Sequence, residues 1–154
     1  MVRYATREDL SRVNELRKQV NDLHVAGRPD IFKPGFNSVL QNFLYTIFES
    51  ETMDVIVAER EGVICGFACV QYVDKPESPY SYARHFYDVD EFCVDEAFRR
   101  QGVATELIAF IKQEAKAKGF DRVELNMWEF NEDARAFYEA VGFTTYRRYM
   151  EMEV

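Results

Sequence analysis

The sequence predicts an α/β (α+β) fold, a mixed and mostly antiparallel central sheet flanked by helices. Three observations lead there. The 154 residues are the usual size of one domain, and no linker, repeat or low-complexity run divides residues 1–154. Apolar residues recur at spacings of three and four in some stretches and alternate in others, so helices and strands are both present. The early strands join through a tight turn, whereas the later ones are separated by helices, which mixes hairpins with crossover connections.

"VRYAT" (residues 2–6) opens as a short strand. Thr6 precedes Asp9 by three residues, an approximate helix-start signal. Leu10, Val13, Leu16, Val20 and Leu23 then keep helical spacing and predict a helix over about 9–23. "HVAGRPDIFKPGF" reads as an irregular loop, and Val39, Leu40, Phe43, Leu44, Ile47 and Phe48 mark a second helix by doublets one turn apart. "DVIVAEREGVICGFACVQYV" is two apolar runs around Glu61-Gly62, a hairpin. "PESPY" is a turn and "FYDVDEFCV" a further strand, unusually acidic. A helix over about 102–118 carries Val103, Leu107, Ile108, Ile111 and Ala115 and stops at Gly119. "RVELNMW" alternates as a strand, and "NEDARAFYEAVGF" is a short helix from an Asn131 N-cap to Gly142. "TTYRRYMEMEV" closes as a strand, so the predicted order is β-α-α-β-β-β-α-β-α-β.

Composition narrows the function. With 47% hydrophobic and 30% charged residues the chain is of the soluble globular kind. The formal net charge of −8 disfavours a nucleic-acid or anionic-membrane partner and favours a cationic one. Cys65, Cys69 and Cys93 are odd in number and form no C-x-x-C pair, so neither a metal site nor a disulfide framework is expected. The first residues do not read as a signal peptide, and no window approaches 18 apolar residues; a cytoplasmic location is the expectation.

The informative stretch is "DEAFRRQGVATELI", residues 95–108, between a strand and a helix. The first N–H groups of a helix lack internal partners and carry the positive end of its dipole, so a phosphate placed there takes several hydrogen bonds. Gly102 and Ala104 keep bulk away, while Arg99 and Arg100 add charge. A Walker A loop and the three-glycine dinucleotide fingerprint are both absent.

The pattern Arg-Arg-x-Gly-x-Ala resembles the acyl-coenzyme A motif of the GNAT superfamily of N-acetyltransferases, whose signature is Arg/Gln-x-x-Gly-x-Gly/Ala. "NEDARAFYEAVGF" is similar to the second motif of that family, about 30 residues on, and the element order is also that of its fold. The one departure is Ala104, where Gly is frequent and Ala is allowed. The resemblance implies acetyl-CoA as cofactor, held by Arg99, Arg100, Gln101, Gly102, Val103, Ala104 and Thr105. It further implies contacts from the backbone of Phe92, Cys93 and Val94 and from Asn131 and Ala134, with Glu132 and Asp133 near the same path. It leaves a homodimer open, since members of the family often pair.

Acetyl transfer needs an amine freed of its proton, a stabilised oxyanion and a donor for the departing sulfur. The second motif implies that donor at Tyr138, which helical position alone would read as a core-edge aromatic. Asp88, Asp90 and Glu91 crowd one strand, where alternation puts Asp88 and Asp90 on one face and Glu91 on the other. They are either an exposed strand end or, as the resemblance implies, the border of the acceptor amine, with Glu91 and Asp90 as base or ammonium site. His24, Arg28 and Asp30, taken to lie in the loop after the first helix, either wall the acceptor pocket or staple their own loop. Cys93 reads as a small buried hydrophobe, since no histidine stands at a helpful spacing. The expected activity is transfer from acetyl-CoA to a primary amine of a small cationic acceptor. The alternatives are an acyl-CoA-binding regulatory module without turnover, or a protein N-terminal or lysine acetyltransferase.

Overall fold

A computed structural model describes residues 1–154. Five strands, β1 (Val2–Tyr4), β2 (Met53–Arg60), β3 (Val63–Lys75), β4 (Arg84–Val94) and β5 (Arg122–Leu125), lie side by side in chain order. The first four pair antiparallel, and β5 lies parallel to β4 because helix α3 (Val103–Ala117) carries the chain back between them. The turn from β2 to β3 has Glu61 and Gly62 both at positive φ, 50° and 78°, the backbone that a two-residue hairpin of matching twist demands.

The sheet has a core on each face. Leu107 and Ile111 of α3 pack on Ile56, Ala68, Tyr87 and Val89. On the other face Leu10, Val13 and Leu16 of α1 (Leu10–Gly27) and Leu44 and Ile47 of α2 (Ser38–Phe48) cover Val57, Phe67, Cys69 and Cys93. Gly66 lets α3 descend on β3: a Cβ there would stand 3.0 Å from the Cys93 carbonyl oxygen and 3.1 Å from the Leu107 side chain. No helix is long and apolar enough to cross a membrane.

One irregularity shapes the rest. Cys69 pairs with Glu91 but Val70 pairs with Val89, so Asp90 is an extra residue in β4, a β-bulge. Alternation is reset there. Tyr87 and Val89 face α3, whereas Glu91 and Cys93 face α1 and α2. Glu91 therefore moves to the side that Asp88 occupies, where plain alternation separates the two.

Other boundaries differ from the sequence expectation. A 3-10 turn at Arg7–Asp9 precedes α1, which runs on to Gly27 because the first strong breaker is Arg28-Pro29. His24 is thus on the last turn of α1, not in the loop. β5 ends at Leu125 rather than Trp128, since beyond the bulge β4 no longer runs alongside it. The last helix, α4 (Glu132–Ala140), lies where expected. The closing strand at 144–154 does not form. Tyr149, Met150 and Met152 are all exposed, so neither face of that segment has a core to cover. It is tied down by side chains: the Tyr146 hydroxyl donates to Glu124, and Arg28 pairs with Glu151 at 2.7 Å.

Candidate active site

The last β4–β5 pair is Val89 with Leu125, and from the Asp90 bulge onward that edge of β4 has no strand beside it. Buried backbone groups need partners, so an open edge in the middle of a sheet is a place for a ligand. A cavity of about 330 Å³ opens there, lined by 16 residues of which 10 are hydrophobic. Arg17, His24, Phe36, Asp90, Glu91, Trp128, Ala134 and Tyr138 all border it. A larger groove of about 510 Å³ is lined by Arg7, Ser11, Asn14, Gln41, Asn42 and Tyr45 and holds no carboxylate, thiol, imidazole or free strand edge. The smaller cavity gathers the acids Asp90 and Glu91, the histidine His24 and the phenol Tyr138 that the sequence singled out.

Just past the free edge the chain turns into α3. Arg100 adopts φ 59° and Gly102 φ 81°, a left-handed conformation that suits glycine. Nothing lies within 4 Å of a Cβ at Gly102, so the backbone angle, not crowding, requires glycine there. No side chain caps α3, and the N–H groups of Val103, Ala104 and Thr105 have no protein acceptor. The Arg100 side chain is exposed and unpaired, Arg99 reaches only Glu96 at 3.9 Å, and Gln101 donates to the Ala97 carbonyl at 3.3 Å. Free donors, a helix N-terminus and two open guanidiniums fit a phosphate-bearing ligand.

The titratable groups divide sharply. Glu91 accepts two hydrogen bonds from Arg17, at 2.7 and 2.9 Å. Arg17 also donates to the Asn14 side chain at 3.0 Å and to the Leu40 carbonyl at 2.6 Å, and it is buried. Asp90 is exposed and has no ion pair; partial desolvation beside the cavity, then the charge of Glu91, push its carboxyl up, with Arg17 opposing. Asp88 is likewise pushed up, by desolvation and then by Asp90 and Glu124. Burial pushes His24 down against the pull of Glu91, and its ring stacks on Phe32 at 5.0 Å. Burial, then the nearby Cys93, push the Tyr138 phenol up to about 12, so it keeps its proton at neutral pH. The ring is held edge-on by Phe92 at 6.0 Å and by Phe143 at 5.6 Å. Cys93 is pushed up to about 12 by burial, and Cys65 and Cys69 are also raised, which leaves all three as inert thiols.

The structure thus brings His24, Asp90, Glu91, Phe92, Ala134 and Tyr138 to one cavity. Cys93 and Val94 continue the free strand toward Arg99–Thr105, and Asn131 caps α4 by accepting from the Ala134 N–H at 3.3 Å. Arg28 and Asp30 stand outside the cavity lining. They pair with each other at 2.8 Å, and Arg28 also lies over the Trp128 ring at 5.8 Å. Sequence reasoning overlooked Arg17, Phe36 and Trp128. Arg17 had a signal: it sits on the apolar face of α1, four residues after Val13 and three before Val20, where a charge demands a partner.

Residues 17–143 match the model of the acetyltransferase (GNAT) family. No curated protein sequence matches the chain. A mutant of the BH1408 protein from Bacillus halodurans is 28% identical and superposes with a TM-score of 0.96, covering 100% of this chain and 99% of that one. An acetyltransferase from Vibrio fischeri is also 28% identical, with a TM-score of 0.64 over 81% of this chain and 95% of that one. The aminoglycoside N-acetyltransferase AAC(6')-Iy, in complex with the bisubstrate analogue CoA-S-monomethyl-acetylneamine, shares the fold at 20% identity and a TM-score of 0.79, over 100% and 97%. With its sheet and helices in the arrangement of these structures and the family match running from α1 through α4, the chain belongs to the acetyltransferase (GNAT) family.

Proposed function

We propose that the protein transfers an acetyl group from acetyl-CoA to the primary amine of a small cationic acceptor. The observation that carries this reading is the continuity between the uncapped, arginine-flanked start of α3 and the open edge of β4, which ends at an acid-lined cavity. When bound, acetyl-CoA supplies a thioester carbon, to which an N–C bond forms as the C–S bond breaks. The N–H groups of Val103, Ala104 and Thr105, with Arg99, Arg100 and Gln101, would hold its phosphates across the Gly102 turn. The free backbone of Phe92, Cys93 and Val94 suits the amides of the pantetheine arm, and Ala134, which lines the cavity, with its cap residue Asn131 would complete that path.

Tyr138 keeps its phenolic proton and so can donate it to the departing sulfur. An alkylammonium has a pKa near 10.4, so the acceptor must lose a proton before it attacks. Asp90, uncommitted and with a raised pKa, is the carboxylate suited to attract the ammonium and, directly or through water, to take that proton. Glu91 is committed to Arg17 and acts as a positioning residue that stiffens the strand beside Asp90.

The test is thiol release from acetyl-CoA with a panel of primary amines, run beside thermal unfolding with coenzyme A. Saturating coenzyme A, at about 100 times Kd, should stabilise the protein by about 2.7 kcal/mol. Stabilisation without thiol release from any amine would favour a regulatory acyl-CoA-binding module. No stabilisation at all would overturn the cofactor assignment.

A further inference from the structure

We propose that the acceptor is an arylalkylamine, a single primary ammonium on a short chain that ends in an aromatic ring. This rests on the acetyl-transfer reading and names the substrate of the same site. Three features of the cavity point there.

The first is the charge count. Four ionisable side chains border the acceptor end of the cavity: Arg17, His24, Asp90 and Glu91. Arg17 and Glu91 cancel one another in a bidentate pair, with Arg17 Nη1 donating to Asn14 and to the Leu40 carbonyl. Burial lowers the pKa of His24 against the opposing charge of Glu91, which disfavours its cationic form, and its ring packs against Phe32 and Phe130. Asp90 is then the one carboxylate without a partner, and it can satisfy one ammonium. A polyamine or an aminoglycoside brings further ammoniums that would be desolvated with nothing to pair them.

The second is the lining. With 10 of its 16 lining residues hydrophobic, the cavity can cover an apolar body, and apart from the ionisable groups only Asn21 and Asn126 among its side chains are amides that could meet hydroxyls. At about 330 Å³, part of which the pantetheine arm and thioester would take beside Phe92, Ala134 and Tyr138, it also leaves room only for a small acceptor.

The third is that its aromatic walls are fixed before any ligand arrives. Trp128 is held edge-on by Phe32 at 5.2 Å and near-parallel by Phe130 at 6.2 Å. Phe130 reaches that place only because Gly27 has no side chain; a Cβ there would stand 2.3 Å from the ring. Across the cavity the Arg17 guanidinium lies over Phe36 at 5.6 Å. Rings locked in this way accept another ring at little cost in side-chain entropy, and edge-to-face or offset contact favours an aromatic guest over an aliphatic one.

Trp128 is the only tryptophan, so its emission reports directly on the cavity. The full chain, with and without coenzyme A, is titrated with 2-phenylethylamine, spermidine and kanamycin, by fluorescence and by calorimetry. The expected result is that 2-phenylethylamine perturbs Trp128 and binds about 10-fold or more tightly than either polycation. Asp90→Asn should weaken it about 10- to 100-fold, and Phe36→Ala about 10-fold, with spermidine little affected by the second change. A polycation that binds as well or better, an Asp90→Asn variant of unchanged affinity, or no response of either signal to 2-phenylethylamine would overturn the proposal. The two readings fail separately. If spermidine or kanamycin supports thiol release while 2-phenylethylamine does not bind, the substrate class falls and acetyl transfer stands. If 2-phenylethylamine binds as expected and no amine releases thiol, the pocket chemistry stands and acetyl transfer falls.

Discussion

Replacing Arg17 by methionine should be among the most damaging single changes in this protein. The Arg17 side chain is 6% exposed and that of Glu91 23%, so the pair is shielded from water rather than lying on the surface. Methionine preserves much of the apolar stem but strips Glu91 of both its guanidinium hydrogen bonds and leaves Asn14 and the Leu40 carbonyl without their donor. Breaking a buried pair from one side costs about 3–5 kcal/mol. For a chain of this length, at about 2–4 °C per kcal/mol, the melting temperature should fall by about 6–20 °C. Glu91→Gln keeps one acceptor oxygen for Arg17 and should cost less, about 1.5–3 kcal/mol. The double variant with methionine at both positions removes the stranded charge and should recover most of the loss. Urea unfolding followed by far-ultraviolet circular dichroism gives all four free energies. The reasoning fails if Arg17→Met costs under about 1 kcal/mol, the range of an exposed pair, or if the double variant is no more stable than Arg17→Met.

Three further outcomes are expected. Gly102→Glu sets bulk and negative charge where phosphates should lie and forces a side chain to φ 81°. Calorimetry should show coenzyme A binding lost in a folded protein, with Gly102→Ala, which shares only the backbone strain of about 1–3 kcal/mol, as the control. Tyr138→Phe keeps the ring contacts with Phe92 and Phe143 and removes the donor. Its kcat should drop by about 10²–10⁴ with coenzyme A affinity held, and wild-type turnover would return Tyr138 to a packing role. His24 is depressed in the folded state by burial, with Glu91 opposing, so the unfolded chain binds the proton more readily. The stability that this group contributes is present above the unfolded pKa of about 6.5 and is lost as pH falls through the lower folded value. Denaturant series at pH 7.5 and 5 should therefore show a smaller acid loss for His24→Phe than for the parent, and equal losses would refute the assignment.

Much of the molecule follows from short-range chemistry that a sequence displays. The hairpin at Glu61-Gly62, the apolar spacing of the helices, the Asn131 cap and the glycine turn before α3 depend on residues within a few positions of each other, and all lie where the sequence puts them. Asp90 and Tyr138 are a different case: residue order shows an acid inside a strand and a phenol on a helix face, but only the resemblance to the GNAT motifs singled them out as site residues. What tertiary structure decided lies at long range. The bulge at Asp90 exists only in the register between β3 and β4, and it turned Glu91 to the other face, ended β5 early and left the edge of β4 open. Glu91 and Arg17 are 74 residues apart, so nothing near Glu91 in sequence shows that its charge is already spent. The wall of Trp128, Phe32 and Phe130 likewise joins the segment between β5 and α4 to the loop after α1. The tail at 144–154 alternates as a strand would, yet a strand is a relation between two segments, and its neighbour had already stopped at Leu125. Local propensity and pattern are written along the chain; register, ion pairing and strand partnership are set by what the folded chain brings alongside.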